Sequence, residues 1–126
     1  MCQAFIGEKC RVNILKLCHL HISNLEGKVL QFVLMKNKSL HTLDISNSRV
    51  DSAECLEFFL QKFDKYSNIK YLILDSIMPD LSNSLEILGE ALVENTKLEV
   101  MIMRDNKLKW VPYAAFWDNI KGNTSL

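Results

Sequence analysis

Apolar residues in this chain fall into a short motif that returns at a nearly constant interval. From Leu98 to Leu108 the sequence reads LEVMIMRDNKL, with apolar side chains at Leu98, Met101, Met103 and Leu108 and a polar Asn106 before the last of them. Alternate residues of a strand point to opposite faces, so this spacing predicts a short strand with Met101 and Met103 inward. The same spacing selects Val12, Leu15, Leu17, Leu20 and Ile22; Leu40, Leu43, Ile45, Ser48 and Val50; and Ile69, Leu72, Leu74 and Ile77. The first positions, Val12, Leu40, Ile69, Leu98 and Leu126, are 28, 29, 29 and 28 residues apart, too regular for scattered apolar residues.

Between strands the apolar period changes from two to three and four, the signature of one helical face. Counted back from each following strand, the faces are Gly27, Leu30 and Leu34; Leu56, Phe59 and Phe63; Leu85, Leu88 and Leu92; and Tyr113, Phe116 and Ile120. Helix starts are predicted at Ser23 with Glu26, Asp51 with Glu54, and Asn83 with Glu86, pairs spaced for an N-cap acceptor and a carboxylate that answers it. Pro112 suits a first helical turn, where its missing donor costs little. Three of the four polar triplets that close the helices begin with asparagine, at Asn37, Asn95 and Asn123, where a left-handed C-terminal residue is expected. Met78 to Ser82, with Pro79 inside, is the least regular connection and predicts a protruding loop.

The spacing LxxLxLxxNxL in units of 28 or 29 residues resembles the leucine-rich repeat, and the period is similar to that of the ribonuclease-inhibitor type. The resemblance implies an α/β solenoid, a β-α horseshoe with a parallel sheet on the concave face and helices outside. Residues 1–126 would form a single domain of about four repeats, with strands near 12–22, 40–50, 69–77 and 98–108. A segment of a longer solenoid is expected, because Leu126 opens another copy and Ile6 precedes Val12 by the six residues that separate helix tail from strand elsewhere. One departure matters: only Asn106 fills the asparagine position, with Leu20, Ser48 and Ile77 at its equivalents. The turns must then satisfy their donors from the main chain, Ser48 or water.

Composition narrows the partners. Fifteen basic residues balance fifteen acidic ones, so no overall field draws nucleic acid or an anionic membrane. No window approaches the ~20 apolar residues of a membrane span, and the first dozen residues hold no apolar run of signal-peptide length. Cys2, Cys10, Cys18 and Cys55 do not recur at the repeat period in a chain that is 48% hydrophobic. Reduced thiols and an intracellular, cytoplasmic setting are therefore expected.

Candidate chemistry is sparse. Cys18, His19 and His21 lie close together with His41 one repeat on, but a continuous strand would put Cys18 on the opposite face from the two histidines, so no metal site is expected. With Gly7, Gly27, Gly89 and Gly122 as its only glycines the chain has no phosphate-cradling loop. Glu54 with Glu57, and Glu86 with Glu90, have the spacing of solvated helix faces. No catalytic residue and no cofactor are predicted.

The alternation that turns leucines inward also defines a surface. Stacked repeats align the outward residues in columns about 4.8 Å apart: Ile14, Thr42, Tyr71 and Val100; Lys16, Asp44, Ile73 and Ile102; Cys18, Ser46, Asp75 and Arg104. Lys16 with Asp44, and Asp75 with Arg104, become neighbours of opposite sign. Tyr71, Ile73, Val100 and Ile102 form an apolar patch on a face that should be polar, which predicts a protein partner on the concave side, with Asp75 and Arg104 at its edge. A protein-binding module or scaffold is the expected function. The resemblance also allows regulation of an enzyme, as in the Ran GTPase-activating proteins with Arg49, Arg104 and Asp105 as rim residues, or a structural place in a larger assembly, as in tropomodulin-like cytoskeletal proteins.

Overall fold

The computed structural model describes residues 10–77 and 81–126, with the backbone alone for Ser82, Asn83 and Val111. Four short parallel strands form one sheet: β1 (Ile14–Lys16), β3 (Thr42–Asp44), β5 (Tyr71–Ile73) and β6 (Val100–Ile102), adjacent in chain order. Between the first two lies β2 (His21–Ile22), which pairs in parallel with β4 (Arg49–Val50) as a separate two-stranded ribbon. Four helices alternate with them: α1 (Asn24–Lys36), α2 (Ala53–Leu60), α3 (Leu85–Val93) and α4 (Trp110–Asn119). The chain is an α/β protein with a parallel sheet of four strands and four helices.

The sheet register follows the repeat interval. Leu15, Leu43, Leu72 and Met101 are partners across the four strands, as are Ile14, Thr42, Tyr71 and Val100. One face of each strand therefore feeds a single core with the helices. Leu43, Leu72, Ile45 and Leu74 meet there with Leu56, Phe59, Leu85, Leu88 and Phe116, all fully buried. The predicted helical faces are the buried ones, Tyr113 alone being half-buried. One close approach depends on a missing side chain: a Cβ built on Gly27 would lie 2.7 Å from Cys55 Sγ and 3.0 Å from Cys55 O, so only glycine lets α1 come this near α2.

The strands are shorter than the repeat motif suggests. After three residues each chain segment turns through a left-handed residue, His19, Asn47, Ser76 and Asp105, with φ of 57°, 57°, 51° and 56°. β1 thus ends at Lys16, and Cys18 and His19 sit in a turn rather than on a continuous strand. The turns stay paired: His19 N–H donates to Ser46 O (3.1 Å), Asn47 to Asp75 O (2.8 Å) and Ser76 to Arg104 O (2.9 Å). Two side chains carry the pairing onward. Asn106 Nδ2 donates to Leu74 O (2.6 Å) while its Oδ1 accepts from Ile77 N (2.8 Å), and Ser48 Oγ makes the same two kinds of bond with Leu17 O (2.8 Å) and Leu20 N (3.2 Å).

Helix ends correct two expectations. At Asn37 the backbone is extended, with φ −80°, and neither Asn95 nor Asn123 has a positive φ, so none of them ends its helix in the left-handed conformation. These asparagines work through their amides instead. Asn95 Oδ1 accepts from Lys97 N and Leu98 N (2.9 and 2.7 Å), and its Nδ2 donates to Phe63 O and Asp64 O of the preceding repeat (3.1 and 3.0 Å). Asn123 repeats this with Ser125 N, Leu126 N, Leu92 O and Asn95 O.

At the helix starts, Ser23 N–H donates to Glu26 Oε2 (3.0 Å) as predicted. The cap of α2 is Ser52, not Asp51: Ser52 Oγ accepts from Cys55 N (3.2 Å), and Asp51 is engaged elsewhere. Pro112 does lie in the first turn of α4. The N-cap of α3 is Ser84, not Asn83, which lies within a 3₁₀ turn, Leu81–Ser84, opened by the fully buried Leu81; the side chain of Asn83 and most of the Met78 to Ser82 loop fall outside the described residues. Ile6 and Cys2 are likewise outside them.

Candidate functional site

The sheet has one face in the core and one in solvent, and the solvent face is not polar throughout. Tyr71 is 40% exposed and Val100 39%, and they are register partners on β5 and β6. Ile73 and Ile102, partners two residues further along, are each half-buried. Four apolar side chains on adjacent strands thus form one continuous patch. On the other half of the sheet Thr42 and Asp44 interrupt the apolar surface, leaving Ile14 isolated at 53% exposure.

Ion pairs close the patch at both ends. At the strand entrances Lys70 Nζ lies 2.9 Å from Glu99 Oε1, and the pairing raises the lysine pKa. At the exits, Asp75 Oδ2 accepts from Arg104 Nε (3.0 Å) and Nη2 (2.7 Å), while its Oδ1 accepts from the Arg104 backbone N–H (2.6 Å). Hydrogen bonding to Asp75, and its charge, push the guanidinium pKa further up. The Arg104 side chain is nonetheless 74% exposed against 14% for Asp75, so the cation stands at the rim and the carboxylate beneath it. The patch is apolar in the middle and charge-balanced around it.

All six residues singled out in the sequence, Tyr71, Ile73, Val100, Ile102, Asp75 and Arg104, therefore lie together on β5, β6 and the turns that follow. Other sequence expectations fare differently. Lys16 and Asp44 are register partners but form no ion pair. The Asp44 carboxylate instead accepts from Ser46 N–H (3.0 Å) and Ser46 Oγ (2.6 Å). Burial works to raise the Asp44 pKa, yet these bonds, the Cys18 thiol and the Lys16 charge outweigh it and leave it lowered. Cys18 is pushed the other way, by burial first and by Asp44 second.

The histidines do not converge. His21 Nε2 lies 2.5 Å from Asp51 Oδ1, His41 Nδ1 is 2.9 Å from Thr42 Oγ1, and His19 occupies its left-handed turn. Among the described residues no three His, Cys, Asp or Glu side chains are grouped to hold a metal ion. Cys10, Cys18 and Cys55 are free thiols, and burial raises the pKa of Cys55.

One feature escaped the sequence reading. Trp110, Tyr113 and Trp117 stand on one face of α4 with ring centroids 6.2 and 6.0 Å apart, and Phe116 meets Trp117 edge-on at 5.3 Å. Trp117 forms one wall of a cleft of about 660 Å³ shared with Val100, Met101, Ile120, Leu126 and Glu99. Val100 belongs to both cleft and patch. The signal was present as aromatic spacing of three and four residues, but it is indistinguishable in sequence from a helix face turned to the core.

No family model and no curated protein matches the chain. No helix among the described residues is long and apolar enough to cross a membrane.

Proposed function

We propose that the chain is a protein-interaction module of the leucine-rich repeat kind, similar to the ribonuclease-inhibitor type, and that its partner covers the sheet face at Tyr71, Ile73, Val100 and Ile102. The fold reading rests on a sheet register, a left-handed turn and a helix face that all recur at the 28 or 29 residue interval. The functional reading is carried by one observation: a continuous apolar patch in solvent on an otherwise mixed sheet, framed by neutralised charge. Such patches on soluble proteins mark binding surfaces. Tyr71 is the anchor in this reading, because a rigid aromatic buries much area for few rotatable bonds.

The test is a paired capture experiment from native extract with the wild-type chain and Ile73→Glu/Ile102→Glu. Both positions are half-buried register partners, so two opposed carboxylates should lower the melting temperature by about 5 °C while the variant still melts cooperatively and loses the captured partner. A charge reversal on the helical side, Glu90→Lys, should leave capture intact. Retained capture by the double variant would move the interface away from the sheet.

A further inference from the structure

The turns that close the helices tie each repeat to the one before it, and one of these ties is missing. Asn95 Nδ2 donates to Phe63 O and Asp64 O (3.1 and 3.0 Å), and Asn123 Nδ2 donates to Leu92 O and Asn95 O (2.8 and 2.9 Å). Leu34 holds the same place in its repeat as Phe63 and Leu92, so its carbonyl is the corresponding acceptor. Ser67 stands where the amide that would reach it belongs. Its backbone N–H donates three residues back, to Asp64 O (3.1 Å), as Asn95 N–H does to Leu92 O (3.2 Å) and Asn123 N–H to Ile120 O (2.8 Å). Its Oγ accepts from Ile69 N, two residues on, as the asparagine Oδ1 atoms accept from Lys97 N and Ser125 N. A hydroxyl lacks the second polar group that an amide sends across. Among the described residues no N–H or O–H donates to Leu34 O or Met35 O at the end of α1.

At this junction lies a cleft of about 390 Å³ between the ends of α1 and α2, walled by Leu34, Met35, Tyr66 and Ser67. Both walls are interior segments of the chain, and Met35 and Tyr66 leave it open to solvent at 47% and 71% exposure. Lys38 and Lys62 also line it. Neither has a carboxylate within ion-pair distance among the described residues, whereas Lys65, Lys70 and Lys121 are each paired. The one carboxylate on the wall, Asp64, accepts from Tyr66 N–H through Oδ1 (2.9 Å). The cleft thus offers an unanswered carbonyl, an apolar lip and two unpaired cations. A carboxamide flanked by carboxylates is complementary to that combination.

We propose that this cleft binds an acidic segment of a protein partner, an asparagine of which enters it and donates to Leu34 O. The partner's amide takes the part that Asn95 and Asn123 play toward Phe63 O and Leu92 O within the chain. Carboxylates on either side of that asparagine pair with Lys38 and Lys62, and the segment lies against Met35 and Tyr66. The site is at the helix ends and shares no residue with the sheet-face patch.

A dye-labelled peptide Glu-Asp-Asn-Asp-Glu, blocked at both ends, is the probe, titrated against the full chain by fluorescence anisotropy. Saturable binding is expected. The same peptide with aspartate at its centre keeps the shape, gains charge and loses the donor, so it should bind about tenfold more weakly. Equal or tighter binding of that peptide would reduce the site to a patch of positive charge and overturn the proposal. Lys38→Glu/Lys62→Glu should weaken the asparagine peptide by about tenfold, two pairs being turned from attraction to repulsion. Ser67→Asn supplies the amide from within the chain: it should abolish peptide binding and raise the melting temperature by about 4 °C through the bond to Leu34 O. The peptide exchange and the lysine reversals do not depend on how that variant folds. Ile73→Glu/Ile102→Glu should bind the peptide within about twofold of wild type, which separates failure here from failure of the sheet-face reading. No saturable binding, indifference to the lysine reversals, or undiminished binding by Ser67→Asn would each overturn the proposal.

Discussion

Leu43 and Leu72, on the two middle strands, are fully buried, whereas Leu15 and Met101, their register partners on the two outer strands, are only half-buried. The same contrast recurs two residues later, where Ile45 and Leu74 are fully buried and Leu17 and Met103 are not. All eight side chains occupy the inward position of their own repeat. Direction is therefore set by position along each strand, but dryness is set by having a strand on both sides. Stability should accordingly be concentrated in the middle and tunable at the outer layers.

The largest effect tests that contrast directly. Leu72→Ala should cost about 3 kcal/mol, because a fully enclosed leucine leaves a cavity that its neighbours cannot fill. Met101→Ala, half-buried on β6, should cost about 1 kcal/mol, since water already reaches the site and less apolar area is lost. Urea midpoints for the two variants check it. Equal losses would mean that the outer layer is as rigid as the middle one.

The asparagine bridges offer the same comparison in polar groups. Asn95 is 2% exposed and makes four bonds to backbone, so Asn95→Ala should cost about 2 kcal/mol by leaving buried N–H and C=O groups unmet. Asn123 makes the equivalent four bonds but is half-buried, and water can replace part of them. Asn123→Ala should cost about half as much. A larger loss at Asn123 would contradict the outer layer's looseness.

Gly27 probes the packing of α1 on α2. Gly27→Ala should destabilise by about 1 to 2 kcal/mol, since the added Cβ meets Cys55 O as well as its sulfur, and backbone cannot step aside as a side chain can. Cys55→Ala in the same chain should relieve part of that loss. At Gly89 the nearest atom to a new Cβ is a Phe116 ring carbon at 3.3 Å, which can give by a small rotation. There the gain in helix propensity, up to about 1 kcal/mol, should offset most of the crowding. Thermal melts of both variants measure the difference.

The sequence showed the repeat because stacked parallel strands must superimpose like residues on like: leucine over leucine in the core, and Tyr71 over Val100 on the outside. That is why the six candidate site residues could be grouped by counting along the chain. What the pattern hid was backbone conformation. The left-handed turns fall on His19, Asn47, Ser76 and Asp105, four unlike residues and no glycine, so the early end of each strand had no compositional mark. Asn37, Asn95 and Asn123 were visible as punctuation, but an asparagine that adopts a left-handed backbone and one that bridges two repeats through its amide look alike. Ser52 displaced Asp51 as a cap for a related reason: Asp51 is taken by His21, a partner 30 residues away.

The smallest predicted effect concerns the feature in which middle and outer layers agree. The four turn residues have φ between 51° and 57° whichever layer they occupy, so this geometry belongs to the repeat and not to burial. Left-handed backbone crowds the Cβ of most residues against the following carbonyl, at a cost of about 1 kcal/mol, and asparagine and aspartate tolerate it better than serine does. Glycine has no Cβ to crowd but loses more freedom on folding, by about 0.5 to 1 kcal/mol. The balance favours glycine most clearly at Ser76, where about 0.5 kcal/mol of stabilisation is expected from Ser76→Gly. Asn47→Gly should gain less. Ser76→Ala should gain nothing, because alanine keeps the Cβ, and this separates relief of strain from loss of the hydroxyl. A rise in urea midpoint for Ser76→Gly alone would show that the turn holds its shape against a local preference, drawn into place by the bond from Ser76 N–H to Arg104 O on the neighbouring repeat.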